Sequence, residues 1–208
     1  MKSLYHFAHV FPSNKIQKAV DKSSSISYIV RWPLNQSQCI KLGKIIEDNM
    51  RAYILNSTQY LDIRPTNRDG QSERDHLFTC GEHKIYAELK SNINLDTEKK
   101  KATAKKIKTV SAEEGTVGYL VALRYWRTDQ IPDKFMKNKN YQDLQLVGVK
   151  EYLEAFGLKP FSSTLEYTIW INQLARALIE SGGKAQIGKE IEIKENEIRE
   201  LRRLFNNL

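Results

Sequence analysis

The sequence predicts a mixed α/β fold, in which a β-sheet core is flanked by helices and followed by a helical C-terminal extension. Apolar patterns of helix and strand type follow one another in the order helix, strand, strand, helix, strand, strand, and the remaining patterns are helical. The chain has 208 residues, of which 40% are apolar, and this is enough to bury a core.

The first elements are a short strand and a long helix. Residues 26–32 are rich in β-branched and aromatic side chains and precede Pro33, which predicts a strand that ends there. Apolar residues recur at helical spacing from Ile40 to Ile54, which predicts a helix of roughly 17 residues with Ser37 as its N-cap. The polar residues 56–73 indicate a loop, or a loop that contains a short strand.

Two strands and an amphipathic helix come next. Residues 77–80 and 85–89 are strand-like, and the polar residues between them suit a hairpin turn. In the lysine-rich segment that follows, Ala102, Ile107 and Val110 form a weak apolar face, which predicts a helix that begins near Asp96 or Thr97.

The rest of the chain predicts two strands and then helices. Residues 117–125 have the strongest strand pattern, and a further strand is expected at 144–149. Helical patterns follow at residues 150–156, 165–179 and 188–205. Since no long linker interrupts the chain, we expect one domain over residues 1–208, with a core at about 38–155 and a helical part at about 156–208.

The positive charge is concentrated in one segment. The formal net charge is +8, from 33 Lys and Arg against 25 Asp and Glu. Residues 84–108 hold eight lysines against Glu88, Asp96 and Glu98, a net of +5. A basic balance favours polyanionic partners such as nucleic acid, although a charge run is also typical of a solvated surface.

Several other classes of protein are excluded. No run approaches the roughly 18 apolar residues of a membrane-spanning helix, so we expect a cytoplasmic protein with no membrane contact. Cys39 and Cys80 are too few for a disulfide scaffold and are expected to be reduced, buried thiols. Residues 183–189 match the start of a phosphate-binding loop, but Glu190 stands where Ser or Thr should bind Mg²⁺, so no nucleotide cofactor is expected.

Two acidic residues and a lysine lie at the ends of the predicted hairpin strands. Glu88 and Lys90 point to the same face because side chains alternate along a strand, and the hairpin brings Asp75 to that face. Carboxylate oxygens are the ligands that Mg²⁺ prefers. Lys90 would stabilise charge that develops on a phosphate or help to deprotonate a water. These parts suit metal-assisted phosphodiester hydrolysis.

The pattern Glu-x-Lys is common in a chain this charged. It also occurs at Glu82, Glu98 and Glu192, which lie in a turn, at a helix start and in a charged helical stretch. The pattern at Glu88 differs because it ends an apolar strand and has an acidic residue upstream. A strand end with solvated charges is the alternative interpretation.

These residues resemble the catalytic motif of the PD-(D/E)XK nuclease superfamily, and the size and basic segment are similar to those of type II restriction endonucleases. The resemblance implies a restriction-endonuclease-like sheet in which Asp75 and Glu88 bind the metal, the Leu89 carbonyl is a further ligand and Lys90 is the catalytic lysine. Glu47, on the preceding helix, would approach the metal. Arg74 replaces the proline that gives the motif its name, and Glu73 is the rival upstream acid.

Polar and basic residues that follow the proposed catalytic strand are candidates for DNA contact. They are Ser91, Asn92, Asn94, Lys99, Lys100, Lys101, Lys105, Lys106, Arg124 and Arg127. Arg124 and Arg127 would serve equally well to cap the sheet.

The resemblance implies a Mg²⁺-dependent, sequence-specific endonuclease that hydrolyses double-stranded DNA and leaves a 5′-phosphate. One active site cuts one strand, so cutting both strands predicts a homodimer. The alternatives are a strand-nicking subunit of a two-chain restriction enzyme, a DNA repair nuclease, and, from another class, a non-catalytic DNA-binding module.

Overall fold

The computed structural model describes residues 26–31, 34–65 and 73–180. The chain divides into two compact units. One comprises Met1–Tyr53 and Lys159–Leu208, and the other comprises Ile54–Leu158. The organisation of residues 1–208 as one domain stays a prediction, and the helix expected at 188–205 and the segment similar to a phosphate-binding loop lie outside the described residues.

The first unit contains a 3₁₀ helix at Ile26–Ile29 and most of the helix α1, which runs from Gln36 to Ser57 and crosses into the second unit. The strand predicted at residues 26–32 is therefore wrong. Asn172 explains the difference. Its side chain accepts from the Arg31 N–H (2.7 Å) and donates to the Ile29 carbonyl (2.8 Å). These backbone groups are therefore bonded to a side chain and not to a neighbouring strand.

The start of α1 also differs from the prediction. Asn35, and not Ser37, caps the helix: Asn35 Oδ1 accepts from the Gln38 N–H (2.8 Å), and Gln38 Oε1 accepts from the Asn35 N–H (2.9 Å). This reciprocal pair satisfies two backbone donors at once, whereas Ser37 lies inside the helix. The helix is 22 residues long, longer than predicted.

The second unit contains a five-stranded mixed sheet. Its strands are β1 (Leu61–Asp62), β2 (His76–Cys80), β3 (His83–Lys90), β4 (Val117–Ala122) and β5 (Gln145–Val147). They are arranged in chain order, with β1, β2 and β3 antiparallel and β3, β4 and β5 parallel. The predicted mixed α/β class, with helices flanking a sheet, is confirmed.

The helix α2 (Thr97–Glu114) joins the parallel strands β3 and β4. Asp96 is its N-cap, and the side chain accepts from the Lys99 N–H. Its buried residues are Ala104, Ile107 and Val110, so Ala104 takes the place that Ala102 was predicted to hold. Ala102 is exposed because it lies five residues before Ile107 and therefore off the face that Ile107 and Val110 bury.

The sheet of the second unit has a helix on each face. Leu77, Tyr86 and Leu120 pack with Ile107 of α2 on one face. Gly118 permits the close approach of α2, since a Cβ there would lie 2.5 Å from Ile107 Cγ2. The other face carries aromatic contacts to α4 (Val149–Glu154), a helix that begins one residue before the predicted start.

The remaining helices are a 3₁₀ helix at Thr128–Gln130 and α3 (Asp133–Met136) in the second unit, neither of which was predicted, and α5 (Thr164–Glu180) in the first, near its predicted bounds. Among the helices of the described ranges, none has the length and hydrophobicity needed to cross a membrane. Cys39 and Cys80 are free thiols, as predicted, but both are half-buried instead of buried.

Candidate active site

The pairing of β2 with β3 brings Asp75 to Glu88. His76 is opposite Ala87 in this antiparallel pair, so one further step along the register sets Asp75 opposite Glu88. Glu88 and Lys90 lie on the face that Tyr86 shares with α2, because alternate residues of a strand face the same side. The predicted grouping of two acidic residues and a lysine at the end of β3 is present in the structure.

One ammonium group joins the two carboxylates. Lys90 Nζ lies 3.2 Å from Asp75 Oδ2 and 3.1 Å from Glu88 Oε2. The distance between Asp75 Oδ2 and Glu88 Oε2 is therefore at most the sum of these two distances. The Leu89 N–H also donates to Asp75 Oδ2 (2.8 Å), which fixes the carboxylate of Asp75 against β3.

The other carboxylate oxygen of Glu88, Oε1, has two partners of its own. Tyr86 donates its hydroxyl to Glu88 Oε1 (2.7 Å), and Lys106 Nζ lies 2.6 Å from the same oxygen. Lys106 also donates to the backbone carbonyl of Glu73. Glu88 is only 2% exposed, so this set of charge-assisted contacts is what offsets the cost of burying a carboxylate.

The electrostatics of the site act on two titratable groups. Burial on its own lowers the pKa of Lys90, but the carboxylates of Asp75 and Glu88 outweigh it, so the pKa is raised above its ordinary value. Burial and the neighbouring carboxylate of Glu88 raise the pKa of the Tyr86 hydroxyl. Lys90 is therefore protonated and Tyr86 is a neutral hydrogen-bond donor at neutral pH.

The donor set fits a hard divalent cation, because two carboxylate oxygens converge on one positively charged nitrogen. Asp75 and Glu88 are the residues that could hold it, and the Leu89 carbonyl as a third ligand stays a prediction. Within residues 26–31, 34–65 and 73–180, no group of three or more His, Cys, Asp or Glu side chains forms a metal site.

Glu47 belongs to the first unit and lies on α1. It is buried, and its Oε1 pairs with Lys44 Nζ (2.6 Å) and Arg51 Nη2 (2.5 Å). These pairs account for the burial of its charge, and its predicted approach to a metal stays a prediction.

The two residues before Asp75 have structural contacts. Arg74, where the resemblance has proline, is buried, and its guanidinium pairs with Glu114 and Glu113 at the C-terminal end of α2. The side chain of Glu73 is exposed, and its backbone carbonyl accepts from Lys106. The structure thus brings Asp75, and not the rival Glu73, to Glu88.

The short polar residues after β3 form a turn at the strand exit. Ser91 and Asn92 are half-buried, Asn94 is exposed, and Asn92 Oδ1 accepts from the Asn94 N–H (2.8 Å). Ile93 is buried in the hydrophobic core and anchors this turn. The polar side chains on either side of it are therefore presented near the end of β3.

The lysines of α2 fall into two groups. Lys99, Lys101 and Lys105 are exposed and Lys100 is half-buried, with Lys99 paired to Asp96. Lys106 instead lies against Glu88, so the structure separates it from the surface lysines with which the sequence grouped it.

The two arginines after β4 have local partners. The guanidinium of Arg124 lies 5.1 Å from the centre of the Tyr125 ring, and Arg127 pairs with Asp129 (2.6 Å). Tyr125 and Trp126 between them are buried in the core. DNA contact by Arg124, by Arg127 and by the other candidates stays a prediction.

Sequence reasoning missed Tyr86 and the contact of Lys106 with the site. Tyr86 could have been found, because it precedes Glu88 by two residues on the same strand and must share its face. The position of Lys106 depends on the rotation of α2 against the sheet, for which the weak apolar pattern of that helix gave no reliable signal.

In comparisons with known proteins, no family model, no curated protein and no solved structure matches this chain.

Proposed function

We propose that this protein is a Mg²⁺-dependent endonuclease that hydrolyses phosphodiester bonds of double-stranded DNA, of the type II restriction class, and leaves a 5′-phosphate. The observation that carries the proposal is the convergence of Asp75 Oδ2 and Glu88 Oε2 on the ammonium of Lys90 at the end of β3. The order of helices and strands around this site supports the resemblance to the PD-(D/E)XK superfamily.

The basic surface beside the site supports DNA as the substrate. Exposed lysines of α2 follow the candidate catalytic strand directly, and α2 packs on the sheet face that carries Glu88. Lysines bind phosphates without regard to sequence and position a duplex, whereas base contacts provide specificity. Ser91, Asn92 and Asn94 at the strand exit are the candidates for such contacts.

Each residue of the site has a distinct task in this proposal. Asp75 and Glu88 would hold Mg²⁺, which when bound supplies positive charge to the phosphate oxygens. Lys90 has a raised pKa and therefore acts as a fixed positive charge beside the phosphate rather than as a base. The Leu89 N–H and the Tyr86 hydroxyl hold the two carboxylates in place.

Since one such site cuts one strand, we propose a homodimer that acts on both strands in the cytoplasm. The direct test is incubation of the protein with phage DNA and Mg²⁺. Discrete double-stranded fragments support the proposal, while nicked circles indicate a strand-nicking subunit or a repair nuclease.

A non-catalytic DNA-binding module is the second candidate, and one observation favours it. Both oxygens of Glu88 and one oxygen of Asp75 already contact lysine ammonium groups, as in a purely structural salt-bridge network. The same assay separates the two candidates, because a binding module retards DNA on a gel with Mg²⁺ and leaves it uncut.

A further inference from the structure

Lys106 differs from the other lysines of α2 in what it contacts. It is half-buried, with 27% of its side chain exposed, and its ammonium reaches both Glu88 Oε1 (2.6 Å) and the backbone carbonyl of Glu73. Lys108, one half-turn further along, is an exposed surface residue paired with Asp143 (2.7 Å). Phosphate binding alone does not explain why this lysine contacts a buried carboxylate.

The formal charges of four side chains in the site balance. Asp75 and Glu88 carry two negative charges, and Lys90 and Lys106 carry two positive charges within contact distance of them. A divalent cation that bound Glu88 Oε2 and Asp75 Oδ2 would therefore join four side chains whose formal charges already sum to zero. Even if Lys90 turns away, the ammonium of Lys106 stays on the other oxygen of the same carboxylate and repels the cation.

We infer that Lys106 sets the affinity of the site for divalent cations, because its ammonium neutralises Glu88 at Oε1, the oxygen that Lys90 does not contact. This inference deepens the proposed function and rests on it. Tyr86 keeps Glu88 Oε1 oriented when Lys106 is removed, since its hydroxyl donates to the same oxygen. Removing the ammonium thus changes the charge of the site and leaves one donor to position the carboxylate.

The test is a calorimetric titration of the full chain with Mn²⁺ alone, without DNA. The charge argument predicts that Lys106→Met binds Mn²⁺ at least about tenfold more tightly than the wild type, because one nearby positive charge is lost. Lys108→Met is the matched control: it loses the same charge and one ion pair from the same helix, and its affinity should equal that of the wild type.

Two further variants make the outcome decisive. Asp75→Asn should lose the binding signal, which assigns the signal to this site. Lys106→Gln replaces Lys106→Met if the methionine variant does not fold, as judged by circular dichroism. Wild-type and Lys106 variants that bind Mn²⁺ equally, or variants that bind it more weakly, overturn the inference and leave the metal site intact. Absence of Mn²⁺ binding to every variant overturns the metal site of the proposed function as well.

Discussion

The substitution Glu88→Gln removes the charge at the centre of the site and keeps the shape of the side chain. Glu88 is 2% exposed, and its two oxygens contact Tyr86 (2.7 Å), Lys106 (2.6 Å) and Lys90 (3.1 Å). An amide still accepts from the tyrosine hydroxyl, but it no longer compensates two ammonium groups. We therefore expect a loss of stability in the absence of metal.

The size of this loss of stability depends on which partners Lys90 and Lys106 keep when Glu88 is replaced. Breaking a buried ion pair costs about 3–5 kcal/mol, because the remaining charge is left uncompensated. Lys90 retains Asp75, however, and the partly exposed Lys106 can turn toward water. The free energy of unfolding should thus fall by about 2–3 kcal/mol, which for a chain of this size corresponds to a Tm lower by about 4–12 °C.

Urea unfolding with EDTA, followed by tryptophan fluorescence, measures this loss. Glu82→Gln is the matched control, because Glu82 also belongs to a Glu-x-Lys pair but is exposed in the hairpin turn. The control should change the unfolding free energy by less than about 0.5 kcal/mol. If Glu88→Gln is as stable as Glu82→Gln, the buried network around Glu88 does not exist in solution and the reasoning is refuted.

Three further changes test other parts of the structure. Gly118→Ala should lower the unfolding free energy in urea by about 1–3 kcal/mol, because its Cβ would overlap Ser111 and Ile107; an unchanged stability would contradict the close packing of α2. The stability difference between the wild type and Lys90→Met should stay constant from about pH 6 to pH 9 and shrink above roughly pH 10.4, since a lysine with a raised pKa stabilises the fold only while it is protonated. A change near neutral pH would show that Lys90 titrates there. Asn35→Ala should cost about 1 kcal/mol in thermal unfolding by removing the cap of α1, and no cost would exclude that cap.

The strands of the hairpin and the face of the site could be predicted from the sequence. Alternation along a strand places Glu88 and Lys90 on one side of the sheet, and the short turn fixes the register that brings Asp75 opposite Glu88. These are local rules with a period of two residues, and no tertiary contact overrides them here.

Features that depend on tertiary packing could not be predicted. The 3₁₀ helix at Ile26–Ile29 depends on Asn172, which is far away in the sequence. The contact of Lys106 with Glu88 depends on how α2 packs against the sheet. Ala104 is buried instead of Ala102 because it lies one turn before Ile107 on the same helix face. The cap at Asn35 was a missed local signal, because Gln38 stands three residues later as a capping box requires.

Mg²⁺-dependent cleavage of phage DNA by the wild type and by Asp75→Asn tests the central claim most directly. The asparagine keeps an oxygen that can accept from the Leu89 N–H, so the variant should fold while its ability to hold Mg²⁺ is lost. Glu73→Gln, which changes the exposed rival acid, is the control. We predict that the wild type and Glu73→Gln cut the DNA and that Asp75→Asn binds DNA without cutting it. Cleavage by Asp75→Asn at the wild-type rate would contradict the assignment of the active site.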